Sequence, residues 1–318
     1  MAALHTFARA VALPCVPLTW PRRRSPDTNK YSMKLILLSV NYGLMILIPI
    51  IIALFIRRRT AAPWRLWFIG AVTFIASQVL HIPFNSIVQR SGLLPSDMSV
   101  VTNLLIYGAF LGLSAGVFEE TARYLTYRFW AKDARSWSRG LMLGAGHGGM
   151  EAIIVGTLAA ISFVALLTAV NNETAMSALS ADQRQLVTDA LAQITDAPTG
   201  TLLLGAVERL FAIAAHLAMS LLVLQVFLRR NIAWLFASIG FHTLLNMVAV
   251  VAAARLNPYA TEGIIGLFAL LALFIIFRLR TPEPVAPEPE LAPLPTPADA
   301  AALDLRPTDD ALDRSRYS

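Results

Sequence analysis

Leu104-Leu-Ile-Tyr-Gly-Ala-Phe-Leu-Gly-Leu-Ser-Ala-Gly-Val-Phe-Glu119-Glu120-Thr-Ala-Arg123 decides how this chain is read. Residues 104 to 118 are apolar or small, and no glycine or proline separates Phe118 from Trp130. The pattern predicts one helix that carries two carboxylates and a guanidinium into a membrane span. A charge near the bilayer centre costs about 2.5 to 3.5 kcal/mol, so such residues face a bundle interior, pair with one another and mark a working site. Three further apolar segments repeat the feature: Gly-His147-Gly-Gly-Met-Glu151, Glu208-Arg209 through His216, and Phe-His242-Thr-Leu-Leu-Asn246.

The rest of the chain agrees with a membrane setting. Hydrophobic residues make up 56% and charged residues 14%, and the mean hydropathy is +0.60. A soluble domain is excluded, and an all-α, polytopic bundle of about seven transmembrane helices is expected. The spans fall at about 34–56, 65–89, 99–118, 140–170, 200–228, 232–254 and 262–278, the third continuing as helix to Trp130. The formal charge of +6 sits in short clusters flanking spans rather than in a stripe interleaved with aromatics, so nucleic acid is not an expected partner. A lone cysteine, Cys15, excludes an intramolecular disulfide and a cysteine-rich metal site.

Basic residues set the expected orientation. Arg57, Arg58, Arg59 and Arg65, then Arg123, Arg128, Lys132, Arg135 and Arg139, then Arg229 and Arg230, and finally Arg278 and Arg280 gather on alternate connections. The amino terminus is therefore expected outside and the carboxyl terminus in the cytoplasm. Residues 1–32, with Arg22, Arg23, Arg24 and Lys30 on the wrong side, read as a disordered or spurious extension, with translation expected to start at Met33. Residues 33–280 form the helical domain, and 171–199 an external loop in which Ser180-Ala-Asp-Gln183 opens a helix to about Ile194. Residues 281–318, rich in proline and acidic spacers, read as an extended, disordered tail.

Positions four apart share a helix face, so Glu119 with Arg123, His147 with Glu151, and His242 with Asn246 are each expected to point together. A rise of 1.5 Å per residue sets Glu119, His147, His216 and His242 about 12 to 18 Å from the cytoplasmic helix ends, and Asn246 about 22 Å. One shared stratum is expected. A carboxylate beside an imidazole can take a proton from water and return it to a leaving amine, while a second histidine and an asparagine can donate to an oxyanion. Alternatively, two or three histidines with a glutamate make a zinc set with an open position for water. Here the candidates are His147, Glu151, His216 and His242. Both routes end at hydrolysis of an amide. No His-Glu-x-x-His pair and no Gly-x-Ser-x-Gly elbow is present.

The motifs Gly-x-Phe-Glu-Glu-x-x-Arg-Tyr, Gly-His-Gly-Gly-x-Glu-Ala, Glu-Arg-x-x-Ala-x-x-x-His and Phe-His-x-x-x-Asn resemble those of the YhfC family of intramembrane metalloproteases. That family is distantly similar to the CAAX prenyl endopeptidase and bacteriocin-processing superfamily. The resemblance covers about residues 33 to 280. It implies an intramembrane peptidase in which the Glu119-Glu120 pair supplies the water-activating carboxylate, a histidine helps hold the water, and His242 with Asn246 stabilises the oxyanion. Against the superfamily pattern, Leu143 and Ala212 stand four residues before His147 and His216, and Arg123 is one residue closer to the glutamates.

Glu208 and Arg209 read as a structural ion pair near the outer end of their helix, and Gln78, His81 and Asn85 as a polar face that either lines the cavity or, the reading preferred, tethers helices. The expected substrate is a membrane-embedded or lipidated protein or peptide, and the expected location the bacterial plasma membrane. A different class remains open: a carrier, channel or immunity-type scaffold using the same groups for protons or a divalent cation.

Overall fold

The computed structural model describes residues 28–282. The expected extension up to residue 27, and the proline-rich tail from 283, lie outside the described residues. Helix α1 (Thr28–Thr60) begins before Met33, so the expected boundary there falls inside a helix. It is followed by α2 (Trp64–Arg90), α3 (Val101–Leu125) and α4 (Trp137–Asn171). Two short helices, α5 (Glu173–Ala178) and α6 (Ala181–Asp196), lead to α7 (Leu204–Leu228), α8 (Ala233–Arg255) and α9 (Pro258–Arg278). Among the described residues there is no strand, and seven helices are long and apolar enough to cross a membrane. The third span does run to Trp130, its last turn widening into a π-helix at Thr126–Trp130. The chain is an integral membrane protein.

Its surface is the inverse of a soluble one. Phe236, Val79 and Phe274 are 64, 65 and 63% exposed, whereas Glu120, Arg123 and His147 are fully buried. With hydrocarbon outside, apolar burial does not drive the helices together, and close backbone approach takes over. Glycine seams supply it. On α3, Gly108, Gly112 and Gly116 recur every fourth residue against Met247, Thr243 and Ile239 of α8. On α4, Gly140, Gly144 and Gly148 face α7, Gly146 meets Trp67 of α2, and Gly149 and Gly156 face Pro49 and Met45 of α1. One helix thereby touches three neighbours without bulky side chains.

A methyl group at Gly146 would run into the Trp67 carbonyl oxygen. Gly146→Ala is accordingly expected to cost at least the upper part of the 1 to 3 kcal/mol that overpacking usually costs, roughly 3 kcal/mol. Gly263→Ala, where nothing lies within 4 Å, is expected to leave the thermal midpoint in detergent unchanged or slightly raised. Equal midpoints for the two variants would contradict the seam.

At the end where α1 stops and α2 starts, Arg65 Nη2 lies 2.5 Å from Asp133 Oδ2, and Trp137 Nε1 donates to the Ile276 carbonyl at 2.9 Å. At the other end, Lys34 Nζ donates to the Ala197 carbonyl at 2.7 Å and ties α6 to α1. The expected capping box of α6 is present: Gln183 N donates to Ser180 Oγ at 3.2 Å and Ser180 N to Gln183 Oε1 at 2.9 Å. That helix extends to Asp196, slightly beyond the expected end, and α5 precedes it.

Candidate active site

Gly146 and Gly148 flank His147, and by admitting α2 and α7 at van der Waals distance they set this imidazole between them. Its Nε2 donates to Glu119 Oε2 of α3 at 3.2 Å, and Phe74 of α2 packs edge-on with ring centroids 5.3 Å apart. The His216 ring of α7 follows at 5.2 Å, and that of His242 on α8 at 5.6 Å from His216. Three imidazoles from three helices thus form a row beside one carboxylate. Glu119, His147 and His216 each offer a ligand atom, and the three atoms lie within 4.8 Å of one another.

The adjacent glutamates diverge, since neighbours on a helix point about 100° apart. Glu119 lines a cavity of about 60 Å³ together with Glu151, Arg209, His216, His242 and Asn246, with Phe74, Met219 and Leu245 on its apolar wall. That space suits water and is too small for a peptide segment. Glu120 points away from it and is fully partnered. It pairs with Arg123, accepts from Ser238 Oγ at 2.6 Å and accepts from His242 Nδ1 at 3.0 Å. The expected Glu119 and Arg123 face is therefore corrected: the guanidinium binds Glu120, three residues away, and donates from Nη2 to His216 Nδ1 at 3.2 Å.

His147 and Glu151 also take separate partners. Glu151 Oε2 accepts from His216 Nε2 at 2.6 Å, and Glu151 Oε1 accepts from Arg209 Nη1 at 2.9 Å. Arg209 does pair with Glu208, as expected, but the pair joins the cavity wall instead of standing apart from it. The polar face of α2 likewise does more than tether helices. Asn85 Nδ2 is 2.9 Å from His81 Nε2, His81 Nδ1 is 3.1 Å from Gln78 Oε1, and Gln78 Nε2 donates to Glu119 Oε1 at 3.0 Å. Ser238 was not singled out from the sequence. Its signal is the four-residue spacing to His242, which puts both on the face that meets Glu120.

These hydrogen bonds also set the ring tautomers, because a carboxylate only accepts and a guanidinium only donates. His216 carries its proton on Nε2 and His242 on Nδ1. For His216 the lone pair is on Nδ1, where Arg123 Nη2 donates to it at 3.2 Å, so this ring would ligate an ion only with that hydrogen bond exchanged for the metal. Glu151 stands behind the ring at Nε2, in the arrangement that orients metal-binding histidines. His147 Nδ1 is buried without a hydrogen-bond partner among the described residues. Two imidazoles and one carboxylate match a three-ligand zinc set with an open position. Around the site the carboxyl groups of Glu119, Glu120, Glu151 and Glu208 outnumber the guanidinium groups of Arg123 and Arg209, an acidic balance that a divalent cation would offset. The residues fit the ion.

Asn246 lines the cavity and makes no side-chain hydrogen bond among the described residues, so its amide is available to a bound group.

The sequence profile of the family described as "YhfC intramembrane metalloprotease" matches residues 44–268. An "Uncharacterized membrane protein YhfC" of Bacillus subtilis (strain 168) is 32% identical over 249 residues, covering 77% of this chain and 96% of that protein. No solved structure matches significantly. With four motifs meeting around one buried cavity and the profile spanning most of the helical bundle, the chain belongs to the YhfC family.

Proposed function

We propose that this protein is an intramembrane endopeptidase of the bacterial plasma membrane, hydrolysing an amide bond of a membrane-embedded or lipidated substrate. The observation that carries the reading is the convergence of Glu119, His147 and His216 within 4.8 Å inside a bundle of membrane spans, with Glu119 and His216 lining a water-sized cavity. A divalent ion such as zinc, held by these three side chains, would polarise a carbonyl oxygen and lower the pKa of water at the site. Glu119 receives the proton of the attacking water, and its carboxylate is kept in place by Gln78 on one oxygen and His147 on the other. His242, anchored at Nδ1 by Glu120, offers its Nε2 lone pair to the proton that Glu119 takes from water and, once protonated there, gives it to the leaving amine, while the Asn246 amide donates to the oxyanion. Glu120, Ser238, Glu151 and Arg209 are positioning residues. They orient His242 and His216 without meeting the scissile bond.

Two measurements test this. Metal analysis of detergent-purified protein is expected to return close to one divalent ion per chain in the wild type and less than about a tenth of that in His147→Ala or His216→Ala, since a site stripped of one of three ligands loses most of its affinity. In proteoliposomes loaded with a library of single-span peptides, mass spectrometry is expected to find new termini that depend on Glu119. Folded protein that yields no new termini from any peptide would move the chain to the carrier or scaffold class.

A further inference from the structure

A second cavity, of about 860 Å³, opens at the basic end of the bundle between the end of α1, the start of α4 and the end of α9. Arg58, Arg59 and Arg280 line it, with Thr60, Trp137 and Phe277. Helices distant in sequence deliver the guanidinium groups, and the aromatic framework holds them. Arg280 lies over the Trp137 ring at 5.4 Å, the indole is fixed by its bond to the Ile276 carbonyl at 2.9 Å, and Arg59 lies over Phe55 at 5.5 Å. Arg65 and Arg139 at the same end bind Asp133, but among the described residues none of Arg58, Arg59 and Arg280 has an acidic partner. Positive charge kept unpaired around a cavity of this size calls for a bulky anion. Phe277 and Phe274, 64 and 63% exposed on α9, carry an apolar surface away from the cavity along the membrane span.

We propose that this cavity binds the phosphate group of an anionic phospholipid, whose headgroup lies among Arg58, Arg59 and Arg280 and whose acyl chains run along the exposed face of α9. Basic pockets between helices at a membrane surface take such headgroups. The site is separate from the Glu119 cavity, and the two readings stand or fall independently.

The test uses the full chain in nanodiscs of equal phosphatidylglycerol and phosphatidylcholine, washed into neutral detergent, with retained phospholipid counted by mass spectrometry. The wild type is expected to retain phosphatidylglycerol preferentially, and Arg59→Gln with Arg280→Gln to reduce that preference about ten-fold. Arg128→Gln, an exposed arginine outside the cavity, is expected to leave it unchanged. If the double variant does not fold, Arg280→Gln alone, just past the last turn of α9, is expected to give about a three-fold reduction. An unchanged preference in the cavity variants, or an equal fall in Arg128→Gln, would overturn the site. Full displacement of the lipid by millimolar inorganic phosphate would overturn the lipid as its ligand in favour of free phosphate.

Discussion

Glu119→Gln is expected to reduce turnover of any peptide the wild type cleaves by about a thousand-fold or more, at the upper end of what a positioned general base contributes. The substitution is close to isosteric. Glutamine still offers an oxygen to Gln78 or to His147, and Glu119 is not part of the Arg123 ion pair. Folding should therefore survive, and the thermal midpoint in detergent is expected to shift by only a few degrees. The loss would lie in proton transfer and, where an ion is held, in its affinity. Retention of turnover to within a factor of ten would remove Glu119 from the reaction. The matched change Glu120→Gln is expected to behave differently, losing stability first, because that carboxylate is buried among Arg123, Ser238 and His242.

Arg123→Ala is expected to destabilise the protein by about 3 to 5 kcal/mol, the cost of leaving one member of a buried ion pair without the other. Arg123 is among the largest fully buried side chains. Its removal strands Glu120 and withdraws the donor to His216 Nδ1, so both stability and the position of His216 suffer. The diagnostic experiment is a double-mutant cycle of thermal unfolding with Glu120→Gln and Arg123→Met. Neutralising both partners is expected to recover most of the loss, since the penalty comes from an uncompensated charge rather than from missing volume. Additive losses would show that the two residues act separately.

Much of this architecture was legible because membrane spans obey a length rule. Runs of about 20 apolar residues locate the seven long helices, and the uninterrupted stretch after Phe118 locates the end of the third. Ser180 and Gln183 announced α6 by capping chemistry alone. The site residues were legible as a set because ionisable groups inside a span are expensive. Their pairing was not. A four-residue spacing links Glu119 to Arg123 and His147 to Glu151, yet Glu119, His147 and Glu151 take partners on other helices, and Arg123 pairs with the neighbouring Glu120 while reaching across to His216; only the packed bundle decides which. The neighbouring glutamates were indistinguishable in sequence for the same reason. Ser238 escaped notice, and Gln78 reads first as a helix tether, because a polar residue that supports a carboxylate resembles one that ties two helices together.

In a bilayer the scarce reagent of hydrolysis is water, not the peptide bond. A transmembrane substrate diffuses to the bundle through the lipid, whereas the second reactant must be carried into a hydrocarbon environment that excludes it. The 60 Å³ cavity between Glu119, His216, His242 and Asn246 is of a size to store that reactant. On the proposed function, the bundle has room to hold its co-substrate beside Glu119 before the peptide arrives.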